Sequence, residues 1–193
     1  MLPQPLLPPI AVLDANVLYG EPLRALLLAL STVGLFQARW SADILGEWAS
    51  ALQKGKVPLA AEALALMADQ MNRQHPQGLV TDYQELIPDL TLPDDNDRHV
   101  LAAAIRAQAQ VIVTFNLKDF PPSRLKRHNV LALPPDQLIR PWVLAAPQAV
   151  CQAIRTLRLQ QEPAPTPQDL LEIYRRERLT RTVKALSTYA DLL

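Results

Sequence analysis

An α/β fold, with a parallel sheet of about five strands flanked by helices and a helical appendage behind it, is predicted by the order of hydrophobic patterns along the chain. Five short apolar segments of β type alternate with helical stretches as far as residue 135, and beyond Pro134 the strand signals stop. The 18 prolines, against only 5 glycines, fall mostly between the periodic segments, where they suit loops and first helical turns. Parallel neighbours require crossover connections, which are right-handed, so the intervening helices cover the sheet.

Ile10 to Leu13 is the first strand, ending at Asp14. Gly20-Glu21-Pro22 opens a leucine-rich helix that runs to Val33. Gln37 to Trp40 is the second strand, and Ser41 is placed to cap a helix carrying Ile44, Leu45, Trp48 and Leu52 on one face. Pro58 starts a helix to about Asn72 whose inward stripe is Leu59, Ala63, Leu66, Met67 and Met71. Gly78 to Asp82 is the third strand, and Asp97 to Ala107 forms a helix whose first-turn acid complements the dipole. Val111 to Phe115 and Asn129 to Leu133 complete the set of strands. Trp40 and Trp48 read as core rather than as base-stacking platforms, and Cys151, between Val150 and Ile154, reads as a small buried hydrophobe. Pro147, Pro163, Pro165 and Pro167 then separate three or four short helices, the last in the charged region Gln168 to Leu193, with Leu170, Leu171, Ile173 and Leu179 facing the core or a second subunit. The expected division is a domain over residues 1–135 and a helical extension over 136–193.

Composition narrows the function. A chain of 193 residues, 49% hydrophobic and 20% charged, can bury a core and is not disordered by composition. Nineteen basic residues balance 19 acidic ones, which excludes a protein that coats nucleic acid through net charge, so any such contact is local. One cysteine excludes an internal disulfide and fits a reducing compartment. The longest apolar run, Leu23 to Phe36, is broken by Arg24 and is shorter than the roughly 20 residues that span a bilayer. Met1 to Ile10 has no lysine or arginine and carries four prolines, unlike a secretory leader, so a cytoplasmic protein is expected. No glycine spacing approaches a dinucleotide or P-loop fingerprint.

In an open parallel sheet, residues just beyond the carboxyl ends of the strands gather at one edge, where such folds bind ligands. Asp14 follows the first strand and Glu47 lies in the helix after the second. Asp94, Asp95 and Asp97 precede or begin the fourth helix, and Thr114, Asn116 and Asp119 follow the fourth strand. Each acid alone also reads as a helix cap, a solvated side chain or a turn former. Together they would repel one another and raise their own pKa values unless a cation offset them. Oxygen donors without supporting cysteine or paired histidine favour Mg²⁺ or Mn²⁺ over zinc, and such a site suits phosphodiester cleavage.

These segments resemble the PIN-domain nucleases, and within them the VapC-like toxins of bacterial toxin–antitoxin pairs. Val12-Leu13-Asp14-Ala15-Asn16-Val17-Leu18 is similar to that family's opening strand and metal-binding aspartate. Trp40-Ser41-Ala42-Asp43-Ile44-Leu45-Gly46-Glu47 resembles the segment bearing its glutamate, and Asp97-Arg98-His99-Val100-Leu101-Ala102-Ala103-Ala104 its third acidic motif. Val113-Thr114-Phe115-Asn116-Leu117-Lys118-Asp119-Phe120-Pro121 is similar to the fourth, and all four stand in family order within residues 10–135. The resemblance implies a three-layer fold, a Mg²⁺- or Mn²⁺-dependent ribonuclease, an antitoxin partner and a homodimer. It implies Asp14, Glu47, Asp97 and Asp119 as catalytic, metal-binding acids, with Asn16, Thr114 and Asn116 in support. Many relatives carry an aspartate where this chain has Asn116, so either Asn116 or Asp119 fills the fourth position, and the neutral amide weakens the case for two metals.

Lys118, Arg124, Lys126, Arg127 and His128 form a short basic cluster that can hold RNA phosphates or simply be solvated. His99 stands two residues from Asp97, with a structural role or a general-base role open; His75 and His128 are isolated. For the basic stretch Tyr174-Arg175-Arg176-Glu177-Arg178-Leu179-Thr180-Arg181, RNA contact, antitoxin docking, self-association and a solvated helix face all stay open. Two other functions compete with the nuclease. A phosphoryl-transfer protein also places aspartates at strand ends, but Asn16 stands where a phosphatase of the haloacid-dehalogenase type needs a second aspartate. A non-catalytic PIN-like binding module is the other, opposed by retention of all three principal acids.

Overall fold

The computed structural model describes residues 8–55 and 57–193. Most of the segment read as unlike a leader, Met1 to Leu7, lies outside the described residues. The elements in order are β1 (Ile10–Leu13), α1 (Ala15–Leu18), α2 (Glu21–Thr32), β2 (Gln37–Ser41), α3 (Ala42–Gln53), α4 (Ala61–Gln74), β3 (Leu79–Val80), α5 (Arg98–Arg106), β4 (Val111–Val113), α6 (Pro122–Leu125) and β5 (Leu131–Leu133). The extension follows as α7 (Pro135–Ala145), α8 (Pro147–Leu159), α9 (Pro167–Arg176) and α10 (Thr180–Leu186).

The sheet runs β3-β2-β1-β4-β5 with every pairing parallel. Ala11, Val12 and Leu13 of β1 lie opposite Val111, Ile112 and Val113 of β4, and the first two also opposite Ala38 and Arg39 of β2. All three β1 residues are fully buried, as a central strand covered on both faces requires. The chain winds outward from β1 to β3, then returns to place β4 on the other side of β1. That reversal opens a crevice beyond the carboxyl ends of β1 and β4, where doubly wound sheets hold ligands.

Local chemistry explains most element ends. Ser41 Oγ accepts from Ile44 N at 3.2 Å, so the expected cap starts α3. Arg24, buried in α2, donates to the Leu18 carbonyl at 2.7 Å and stacks its guanidinium over Trp48 at 5.3 Å, tying α1, α2 and α3 together. Trp40 and Trp48 are fully buried, the former donating through Nε1 to Asn72 Oδ1 at 2.8 Å, and Cys151 is buried as expected.

Several expected boundaries shift, among them the start of β5, which is Leu131 rather than Asn129. The helix read from Pro58 begins at Ala61, and its inward residues are Leu64 and Met71 with Met67 and Ala68 beside them, a spacing of i, i+3, i+4, i+7. Leu66 is 70% exposed because it lies off that stripe, and Leu59, 37% exposed, precedes the helix. The third strand is limited to Leu79 and Val80, and Asp82, in the left-handed region at φ 58°, turns the chain away. Gly78 precedes it where a Cβ would meet the Trp40 ring at 2.6 Å.

The extension packs through the same hydrophobic core as the sheet. Helix α8 lies on α2, and Trp142 of α7 stacks on Phe36 with ring centroids 5.3 Å apart and planes 9° from parallel. Leu138, Ile139, Val143, Val150, Ile154, Leu170, Leu171, Leu179, Val183 and Leu186 are buried, while Ile173 is only partly so.

Candidate active site

Asp14 is the first residue beyond β1, its N–H donating to the Val113 carbonyl at 3.1 Å, so its side chain leaves the sheet at the crevice. Its Oδ2 accepts from Thr114 Oγ1 at 2.6 Å and from Asn16 Nδ2 at 2.5 Å. Thr114, fully buried, also accepts from Asn16 Nδ2 and from Asn116 N, each at 2.9 Å, while Asn16 Oδ1 accepts from Phe115 N at 3.0 Å. Asn16 thus bridges the ends of β1 and β4, and β4 stops at Val113, two residues before the expected end, so that Thr114 and Phe115 join this network. Burial pushes the Asp14 carboxyl up, with Glu47 adding to the rise, against the Thr114 hydrogen bond, the Ala15 backbone and His99.

Asp97 ends a short 3₁₀ turn, Asp95–Asp97, before α5. Asp94 shapes that turn by accepting from Asn96 N at 2.9 Å. Asp119 ends a second turn, Leu117–Asp119. Each of Asp94, Asp97 and Asp119 offers a carboxylate oxygen within 4.8 Å of the others'. Burial and the charges of Asp14, Asp94, Asp119 and Glu47 push the Asp97 carboxyl up to about 6. Asn116 Nδ2 donates to Asp97 Oδ2 at 3.3 Å, so the amide sits at the site without adding charge.

Glu47, exposed on α3, receives His99 of α5 at 2.9 Å between Oε1 and Nε2. Burial of His99 opposes the imidazolium, but the Glu47 hydrogen bond and the charges of Glu47, Asp43 and Asp14 outweigh it and raise the imidazole pKa. The other ring nitrogen, Nδ1, is buried with no partner among the described residues.

The structure therefore brings Asp14, Asn16, Glu47, Asp97, Thr114, Asn116 and Asp119 to one edge. Asp94 is the acid that sequence reasoning noticed yet left out of the site set. Its signal was present in Asp94-Asp95-Asn96-Asp97, where an Asx turn at the first residue folds the first carboxylate toward the last. The basic cluster divides. Lys118 is 83% exposed with Nζ 3.7 Å from Asp119. Arg124, Lys126 and Arg127 belong to the crossover that carries the chain back to the amino end of β5, where Leu131 lies opposite Val111, and so toward the other edge. His128 accepts from Arg127 there at 2.9 Å, and His75 sits edge-on to Trp40.

Residues 11–118 match the family model described as PIN domain. A 67-residue stretch is 48% identical to "Putative ribonuclease VapC50" of Mycobacterium tuberculosis (strain ATCC 25618 / H37Rv), covering 33% of this chain and 40% of that protein. The aligned stretch thus spans well under half of that relative's length. No solved structure matches the chain.

Proposed function

The chain belongs to the PIN-domain family, and from that premise we propose that it is a metal-dependent endoribonuclease of the VapC kind, a growth-inhibiting toxin neutralised by a cognate antitoxin. The observation that carries the reading is the convergence of Asp14, Glu47, Asp94, Asp97 and Asp119 at the crevice, with one carboxyl there holding its proton up to about 6. Such crowding of hard oxygen donors fits Mg²⁺ or Mn²⁺, which Asp94, Asp97 and Asp119 would hold together with Asp14. When bound, the ion supplies Lewis-acid charge for hydrolysis of a phosphodiester.

The chain's own residues do the rest. Thr114 and Asn16 both donate to Asp14 Oδ2 and so hold the carboxylate in place at the end of β1. His99 holds Glu47 by hydrogen bond, and Glu47 or Asp119 orients the water that adds across the P–O bond. Lys118, beside Asp119, offers a cation to the phosphate backbone. The VapC reading carries with it a homodimer and a cytoplasmic location. Among the described residues no helix is long and apolar enough to cross a membrane.

The test is cleavage of a mixed RNA pool by wild type and Asp97→Asn in Mg²⁺, Mn²⁺ and EDTA. Discrete cuts that need the metal and fall by about a hundredfold in the variant support the assignment. Absence of cleavage from folded, inhibitor-free protein overturns it in favour of a binding module.

A further inference from the structure

The turn between α9 and α10 brings the extension against Phe115 at the candidate active site. There Arg178 adopts φ 65°, and Leu179 N donates to the Tyr174 carbonyl at 3.1 Å, closing α9 in a left-handed cap where glycine is the usual residue. An arginine there carries backbone strain that glycine would avoid. The turn is seated at the site's rim. A Cβ on Gly20, at the corner between α1 and α2, would collide with the Glu177 carboxylate, and the Arg178 guanidinium lies 5.1 Å from the centroid of the Phe115 ring. Phe115 is joined to Asn16 by its N–H, and its chain neighbour Asn116 donates to Asp97.

The charge of Arg178 is uncommitted. Arg175 and Arg176 both pair with Glu172, whereas Arg178 has no carboxylate within 4.0 Å among the described residues and is exposed. Phe115 packs against the guanidinium of an exposed Arg178, and a planar guanidinium supported in this way can hold a phosphate with two donors. A polyanion approaching five carboxylates meets repulsion; Lys118 lies beside Asp119 and Arg98 beside Asp95, while Arg178, over Phe115, has no carboxylate partner among the described residues.

We propose that Arg178, presented by the C-terminal extension, binds a phosphate of the RNA substrate at the rim of the acidic site and so makes the extension part of the substrate groove. The proposal rests on the ribonuclease reading above. Arg178→Gly suits the test because glycine favours the same backbone, so the variant should melt no lower than wild type while lacking the cation. Arg178→Lys keeps charge without the planar fork, and Arg155→Ala, on exposed α8 surface, is the control.

Labelled RNA is titrated by anisotropy in EDTA across a salt series, and the same proteins are assayed for cleavage in Mn²⁺. Arg178→Gly should weaken RNA binding about fivefold, the size of a favourable exposed charge pair. It should reduce the slope of log affinity against log salt by about 0.7, one single-strand phosphate contact. KM should rise with kcat within about twofold, with partial rescue by Arg178→Lys and no effect in Arg155→Ala. If wild type binds and cleaves RNA while Arg178→Gly keeps its affinity, salt slope and KM, the proposal falls and the ribonuclease reading stands. If wild type neither binds nor cleaves RNA, both fall.

Discussion

Asp97 carries the electrostatic cost of the site. Its carboxyl is pushed up to about 6, first by burial and then by Asp14, Asp94, Asp119 and Glu47, against an ordinary value of 3.8. The folded protein therefore binds more protons than the unfolded chain between these values, and stability present below about pH 4 is lost as pH rises through 6. Metal-free Asp97→Asn should lack that decline and melt about 2–4 °C above wild type at pH 7.5 in EDTA, as roughly 1 kcal/mol of relieved repulsion implies. Added Mn²⁺ should reverse the order by raising the wild-type melting temperature alone. Thermal shift with and without EDTA checks both, and a variant that melts no higher without metal would remove the repulsion account. His99 acts in a second window. Burial disfavours its charge, but Glu47 overcomes this and the pKa is raised above 6.5, so the stabilisation from the protonated pair is full below 6.5 and lost as pH rises through the folded value. His99→Gln, which can still hydrogen-bond Glu47, should flatten the pH dependence of unfolding above about pH 6.5, leaving the tail that belongs to Asp97. Urea melts between pH 6 and 8.5 decide it, and an unchanged slope would separate His99 from Glu47.

Elements form here through caps that a linear reading sees only when both partners are close in sequence. Ser41 capping α3 was legible because donor and acceptor are three residues apart. Helix α10 is different. Its N-cap, Leu179, has no side-chain acceptor, and its N–H groups at Arg181 and Thr182 instead donate to the Asp136 carboxylate in α7, at 3.0 and 2.7 Å. A negative side chain at a helix N-terminus also matches the dipole. Asp136→Ala should destabilise the protein by about 1 kcal/mol with an unchanged denaturant m value, read by urea unfolding, whereas Asp136→Asn should recover part of the loss. The same distinction divides the site. Asp14 and Asn116 were found because strand ends mark themselves by a switch from apolar to polar residues. Asp94 was set aside because its carboxylate joins Asp97 and Asp119 through two tight turns, and turn geometry is invisible to periodicity. In α4 the apolar residues outnumber the core positions, so pattern alone favoured Leu66 where packing selected Leu64.

At the scale of the molecule, the strands end at Leu133 and the buried apolar residues before and after residue 135 belong to one hydrophobic cluster, so a division there is a proposal for a fragment experiment to decide. Phe36, just before β2, is stacked on by Trp142, and α8, which buries Val150 and Ile154, lies on α2. Five buried apolar side chains on α7 and α8, Leu138, Ile139, Val143, Val150 and Ile154, are each worth about 1.5–3 kcal/mol of burial. Even half of that sum is comparable with the roughly 5–15 kcal/mol of net stability that a domain possesses. A chain ended at residue 135 would therefore expose the leucine-rich surface of α2 together with Phe36, and a contiguous apolar face of that kind drives association. Such a chain should elute as aggregate, bind a hydrophobic dye and lose cooperative melting, while the full chain gives one transition, because extension and sheet share one core. Size exclusion and urea melts compare the two. A monomeric 1–135 fragment that melts cooperatively near the full-length midpoint would show that the helices are a separable accessory. Failure of the fragment would instead mean that the segment bearing Arg178 is part of the same folding unit as the acids, and that loss of the extension unfolds the site.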